Sequence, residues 1–419
     1  MMAVMANLAP ARLWPWSVFA ALIACAGLPI YIHAPKFYVD EYGVGLAALG
    51  AVLALLRLVD VVQDPFLGWL AEAGRGKRSL LVTGAVGVMM AAMLALFAVP
   101  PPVAPLAWFA LSLACLFSAF SFLTIVFYAQ GVARAKTLGP KGHLRLAGWR
   151  ETGSLLGVSV AAVAPVALAA VTDQPFTAFA LGFALLAVIA ALAMRHEWEG
   201  AAKMAPAPVM PLFRRALADR VARRLLAIAL VNAAPVAVTS TLFLFFVESR
   251  LGAPGWEGPL LLLFFLSAAA SAPLWGRLAA QIGEKRSLMA AMALAIAAFL
   301  WAVLLQAGDM AAFAVICLAS GAAMGADLTL LPALFARRLA QLGDGGEGAG
   351  FGLWSFVSKL ALALAAAILL PALQWAGFTP GASNDAAALW ALTLLYAALP
   401  CGLKLLALAL VATTDLERV

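Results

Sequence analysis

PFLGWLAEAGRGKRSL at residues 65–80 returns without a gap as PLWGRLAAQIGEKRSL at 273–288. Proline, glycine, Leu-Ala and Lys-Arg-Ser-Leu hold the same places in both copies, 208 residues apart in a chain of 419. Each copy leaves one long apolar run, crosses a short basic loop and enters the next run. A unit repeated at about half the chain length points to two like halves. Around it, composition sets the solvent: 65% of residues are hydrophobic and 11% charged, more apolar surface than a protein in water can hide. Apolar runs of ~20–28 residues recur, enough to span a ~30 Å hydrocarbon core with some tilt. The period-2 alternation of an outer-membrane barrel is absent.

Twelve membrane helices are expected, at 13–38, 45–71, 79–99, 105–132, 146–171, 175–194, 224–249, 257–280, 287–306, 310–336, 349–375 and 386–411. The most polar stretch, 195–223, reads as a basic cytoplasmic linker between halves 1–194 and 224–419. One set of loops carries Arg75, Lys77, Arg78, Arg134, Lys136, Lys141, Arg145, Arg277, Lys285, Arg286, Arg337 and Arg338. The other set carries almost no Lys or Arg, so the positive-inside rule puts both termini in the cytoplasm. An inner-membrane protein is expected, and no cleavable signal peptide is evident. The net charge of +7 is accounted for by these loops, so nucleic acid is not an expected partner. Cys25, Cys115, Cys317 and Cys401 lie in apolar runs without CxxC spacing, so neither a disulfide nor structural zinc is expected. Kinks are expected at Pro29, Pro65, Pro235, Pro273, Pro332 and Pro400. The fold class is an all-α membrane protein with two pseudo-symmetric, parallel six-helix halves, the pattern of the major facilitator architecture.

The stretch just before the first copy carries the chemistry. RLVDVVQDPFLGW, Arg57 to Trp69, holds Arg57, Asp60 and Asp64 at i, i+3 and i+7, on one helical face. A charge in a membrane helix costs about 2.5–3.5 kcal/mol even on the gentlest scale, and such groups default to function. Asp60 and Asp64 are one turn apart, so their carboxylates can converge on a small hard cation. In an empty site, proximity and desolvation raise one pKa, which makes the proton an alternative. Lys359 or Arg57 could neutralise the pair between visits. The competing reading is a static buried ion network, which stability alone gives little reason to keep.

The pattern Arg57-x-x-Asp60-x-x-x-Asp64-Pro65-x-x-Gly68 resembles the second-helix signature of the glycoside–pentoside–hexuronide:cation symporter family, which includes the melibiose permeases. FGLWSFVSKLALALAAAILLPALQWAGF (351–378) resembles its eleventh helix, with Lys359 at the characteristic lysine, and ALP at 398–400 resembles its twelfth. Phe127-Tyr128 and Arg150-x-x-x-Ser154-x-x-Gly157 fit the fourth and fifth helices more loosely. The resemblance implies that Asp60 and Asp64 bind Na⁺, Li⁺ or H⁺, assisted by Ser121 and approached by Lys359. It also implies sugar contact at Tyr128 and Arg150. Two departures stand out: Ala24 and Thr124 occupy the positions of the two sugar-gripping aspartates, which puts a galactoside substrate in doubt.

Other candidates leave two readings open. Asp327 either binds substrate or pairs with Lys404. Asn232 either binds substrate or joins helices by a hydrogen bond. Arg150-Glu151, near the cytoplasmic end, is either local and solvated or a substrate contact. Tyr31 and Trp354 either line a central cavity or pack. Gly68 and Gly276 would allow close helix approach. Lys77, Arg78, Lys285 and Arg286 are either topology determinants or gating residues that pair with helix C-termini or acids. His33, His143 and His196 are scattered, which gives no metal site.

With neither a Walker motif nor a catalytic triad, a secondary transporter is expected rather than an ATP-driven pump or an enzyme. The expected activity is Na⁺- or H⁺-coupled symport of a small organic, glycoside-like solute by alternating access, without any other cofactor. Transport of an amphiphile or lysolipid, or drug efflux, is the alternative. A non-transporting receptor or scaffold is the third. The expected partners are the small-molecule solute and membrane lipid, and a monomer is expected.

Overall fold

The computed structural model describes residues 12–139, 141–198, 214, 216–342, 347–379 and 384–415. In hydrocarbon every backbone N–H and C=O must find a partner within the segment, so apolar runs of this length become helices. Among the described residues nine helices are long and apolar enough to cross a membrane. Four further helices supply the three remaining spans of the expected order: Trp14–Cys25 with Leu28–Tyr42 as the first, Leu46–Ala73 as the second and Gly142–Leu168 as the fifth. The fourth is Pro105–Lys136, the seventh Arg220–Phe245, the eighth Glu257–Ile282, the tenth Met310–Gln341 and the eleventh Glu347–Trp375. Most of the expected linker lies outside the described residues.

The first span is not the continuous helix expected at 13–38. It breaks at Ala26-Gly27, and Pro29 sits in the first turn of the second piece. Proline has no N–H to donate, which suits a helix start better than an interior. Pro65, Pro235, Pro273 and Pro332, by contrast, lie inside helices that continue past them. In the last span a π turn, Leu394–Ala398, precedes Leu399–Ala412, whose first turn contains Pro400. There the Leu399 N–H reaches the Leu394 carbonyl, one residue further back than in an α-helix.

The helix pairings repeat between halves. The first packs on the fifth as the seventh does on the eleventh, and the second on the fourth as the eighth on the tenth. The third and sixth pair like the ninth and twelfth. Small residues set these distances. A Cβ added at Gly153 would lie 2.2 Å from the Ser17 carbonyl, and one at Gly157 2.5 Å from that of Ala21. In the other half, Gly321 and Gly325 meet the Phe264 and Ala268 carbonyls at 2.3 and 2.7 Å. Each is a small-xxx-small pair, the device that lets membrane helices approach without a hydrophobic drive. Gly276 does not act this way: an added Cβ there would meet nothing within 4 Å.

Between halves, the second span packs on the eleventh and the fifth on the eighth. The contacts joining them gather toward the basic loops. Lys141 donates to the Ala280 carbonyl at 3.1 Å, the Glu72 carboxylate accepts the Gly348 N–H, and the Tyr128 and Phe351 rings lie 5.1 Å apart. Gly68 meets Gly348 and Gly352 backbone to backbone; an added Cβ would fall 2.8 Å from the Gly348 carbonyl. The molecule is therefore closed at its basic end.

Asp219 shows how that end is tied together. Its carboxylate caps the seventh helix by accepting the Ala222 N–H at 2.7 Å, and it grips Arg338 of the tenth at 2.6 and 3.0 Å. The hydrogen bonds from Arg338, aided by that N–H, hold its pKa below the ordinary aspartate value. Asp219→Ala is expected to cost about 1 kcal/mol, the usual worth of an N-cap. Because the folded pKa is depressed, that contribution is complete above the ordinary carboxylate range and fades as pH falls below about 4. Unfolding titrations in detergent check this: the gap between wild type and variant should narrow on acidification.

Candidate functional site

The second span is two-faced. Leu55, Leu58, Val62 and Phe66 are 58–76% exposed and recur at helical spacing as one outer stripe. On the opposite side Asp60 is 5% exposed and Asp64 is fully buried. Both carboxylates thus point away from the apolar stripe and into the protein, toward the fourth and eleventh spans.

Lys359 enters from the eleventh span and joins them. Its ammonium donates to Asp64 Oδ1 at 3.0 Å and to the Ser121 hydroxyl at 2.6 Å, and lies 3.8 Å from Asp60 Oδ2. Ser355, one turn before Lys359, donates to the other Asp64 oxygen at 2.5 Å. Asp60 Oδ1 accepts from Gln63 at 2.8 Å, and Gln63 accepts in turn from Ser118 at 3.0 Å. Second-layer partners of this kind fix the orientation of charged groups around a site. The result is a buried cluster of carboxylate and hydroxyl oxygens from three helices, with a cationic head at its centre. Its chemistry suits a hard cation or a proton better than a transition metal, which prefers nitrogen or sulfur.

Sequence reasoning brought Asp60, Asp64, Ser121 and Lys359 together and missed Gln63, Ser118 and Ser355. All three stand three or four residues from a chosen residue on the same helix, so helical periodicity around the first set could have found them.

The remaining candidates fall elsewhere. Tyr128 and Arg150 do meet: the guanidinium carbon sits 3.6 Å from the ring centroid. Glu151 accepts from both the Tyr128 hydroxyl and Arg150 Nε at 2.8 Å. Arg150 and Glu151 are 5% and 3% exposed, so the solvated reading of this pair is corrected: neutralisation by each other and by the ring lets them be buried. Thr124 spends its hydroxyl on the Phe120 carbonyl of its own helix at 2.7 Å. Trp354 packs on Phe335, ring centroids 5.0 Å apart. Asp327 pairs with Lys404, which also donates to Asn232 at 2.7 Å. Asn232 therefore does join helices, through Lys404.

Of the loop residues, Lys285 caps the last span by donating to the Ala412 and Thr414 carbonyls, both at 2.9 Å. That is a favourable place for a cation at a helix C-terminus. Arg78 is buried and donates to Gln130, whose amide reaches the Glu197 carbonyl. The first contact stays within the N-terminal half, and the second ties it to the start of the linker. Lys77 and Arg286 are exposed. The side chains of Tyr31 and Arg57 lie outside the described residues.

The MFS/sugar transport protein family model matches residues 16–418. The solved structures supply the fold. A bacterial homologue of the iron transporter ferroportin in an outward-facing state aligns with TM-score 0.70 and 15% identity, over 97% of this chain and 100% of that one. The human organic anion transporter MFSD10 (TETRAN) aligns with TM-score 0.66 and 16% identity, over 96% and 98%. No curated protein sequence matches the chain. The fold is that of the major facilitator transporters, a multi-pass membrane architecture of two six-helix halves. The chain belongs to the MFS/sugar transport protein family.

Proposed function

We propose that this transporter is a cation-coupled symporter in which Asp60 and Asp64 receive Na⁺ or H⁺. One observation carries the reading: Lys359 bridges from one half to Asp64 of the other, inside a cluster of oxygen ligands. The ammonium stands in for the coupling cation. Cation entry displaces it, which removes a bond between the second and eleventh spans. With solute also bound, the halves 1–194 and 224–419 then rock apart at the basic end. By the positive-inside rule that end and both termini are cytoplasmic, in the inner membrane, and the closed basic end corresponds to an outward-facing state.

The solute is a small organic molecule, glycoside-like by family. Transport of an amphiphile, or efflux of a drug, is the second reading. It is favoured by Ala24 and Thr124, neither of which supplies the charged acceptor that a sugar-gripping carboxylate would. Monomeric protein in proteoliposomes, screened with sugars, glycosides and lysolipids under imposed Na⁺ or pH gradients, tests both. Gradient-driven accumulation should be lost in Asp60→Asn and in Asp64→Asn. Accumulation with unchanged ion dependence in Asp64→Asn would overturn the coupling assignment.

A further inference from the structure

The ends of five spans enclose a cavity of about 890 Å³ at the basic end. Lys141 stands just before the fifth span, Ile282 closes the eighth helix and Glu284 opens the ninth. Arg337 lies in the last two turns of the tenth, and Ala412 ends the twelfth. The charged residues of its wall are Lys141, Glu284, Lys285, Arg286 and Arg337. Arg337 and Glu284 neutralise each other. The other three are cations with no acid beside them. Lys141 and Lys285 donate only to backbone carbonyls, Arg286 is exposed, and none of the three forms an ion pair among the described residues.

Donors remain for an anion. An ammonium carries three N–H groups and a guanidinium five. Lys141 spends one and Lys285 two, and Arg286 brings the planar fork that fits phosphate. The ninth helix begins at this wall without a side chain capping its N-terminus, so its positive end adds to the field. Like charges around one cavity repel, and an anion relieves that repulsion. The position favours an anion that belongs to the membrane. Spans end at the depth where headgroups sit. Hydrocarbon reaches the same side: Ile282 is 41% exposed at the rim, and the ninth span exposes Leu294, Leu300 and Trp301. A phospholipid meets both surfaces, a free phosphate only the charged one.

We propose that this cavity binds the headgroup of an anionic phospholipid, held between Lys141 of the N-terminal half and Lys285 and Arg286 of the C-terminal half. Because it joins the halves, the bound lipid favours the closed basic end. The site is separate from the Asp60–Asp64 cluster and stands without the coupling reading.

Thermal unfolding in phosphatidylcholine nanodiscs, with phosphatidylglycerol replacing that lipid stepwise, tests this. Phosphatidylglycerol should raise the wild-type Tm saturably. In Lys141→Gln/Arg286→Gln, which alters two exposed side chains, its apparent affinity should fall at least about tenfold, the worth of two basic residues beside a headgroup. Lys77→Gln/Arg195→Gln removes the same charge from exposed residues that do not line the cavity, and should respond as wild type does. Glycerol phosphate, the headgroup without its acyl chains, should leave Tm unchanged in phosphatidylcholine discs. Thiol labelling of a cysteine placed at Ala349, buried where the halves meet, should slow about fivefold in phosphatidylglycerol, the worth of losing Lys141 as the halves part. Asp64→Asn should keep the Tm response, so failure of the coupling reading leaves this result unaffected. No response in wild type, equal responses in the two double variants, stabilisation by glycerol phosphate alone, or lipid binding without slower labelling overturns the proposal.

Discussion

Asp64→Leu alone is expected to destabilise the protein by about 3–5 kcal/mol, whereas Asp64→Leu/Lys359→Met should return to within about 1 kcal/mol of wild type. Asp64 is completely buried, and removing it strands the Lys359 ammonium with only Ser121 and a carboxylate 3.8 Å away. Breaking one side of a buried ion pair leaves an uncompensated charge; replacing both sides with apolar groups of similar volume does not. Asp60 offsets part of the loss, so the lower end of the range is the better estimate. Unfolding titrations of both variants provide the measurement. A double variant as unstable as the single one would mean that Lys359 is balanced mainly by some group other than Asp64. Ion-driven transport should be absent from both, because stability and coupling part company here.

Gly68→Leu is expected to force open the basic end. The added Cβ would overlap the Gly348 carbonyl at 2.8 Å and press on the Gly352 Cα at 3.2 Å. These are backbone atoms, so the strain is relieved only by moving the eleventh span away from the second. That motion also breaks the Glu72 hydrogen bond to the Gly348 N–H and stretches the bridge to Lys359. Gly352→Leu should do the same, since its Cβ would meet the Asp64 carbonyl at 3.0 Å. Gly276→Leu, with open space around it, is the control. Thiol labelling of a cysteine placed at Ala349, which is buried at this contact, reads the change. The rate should rise about tenfold or more in Gly68→Leu, because each 1.4 kcal/mol of closure lost is a decade in population. Unchanged labelling in both leucine variants would show that this glycine contact does not hold the end shut.

Much of this was legible in the chain itself. The repeat at 65–80 and 273–288 follows from two halves that solve the same packing problem twice, and the long apolar runs follow from hydrocarbon thickness. Asp60 and Asp64 announce themselves because charge in such a run is expensive. What stayed hidden depends on which helices meet. Ser355 looks like any membrane serine until the eleventh span is laid against the second. The burial of Arg150 and Glu151 could not be read from their place near a loop, because it rests on the Tyr128 ring, contributed by another helix. Gly68 and Gly276 occupy matched places in the repeat, yet only Gly68 faces a partner. The break at Gly27 was masked by an apolar run that reads as continuous, and Pro65 shows that a proline alone does not decide such a break.

The most direct measurement is the thermal unfolding midpoint as a function of Na⁺, Li⁺ and pH, in the absence of any solute, for wild type, Lys359→Met and Asp64→Asn. Wild type should be stabilised saturably by Na⁺ or by protons, by about 2.7 kcal/mol at a hundredfold excess over Kd. Lys359→Met, relieved of its internal competitor, should bind the same ion at least about tenfold more tightly, and Asp64→Asn should show no stabilisation by that ion. An ion response that survives in Asp64→Asn, or one that weakens in Lys359→Met, would contradict a site that lysine and cation occupy in turn.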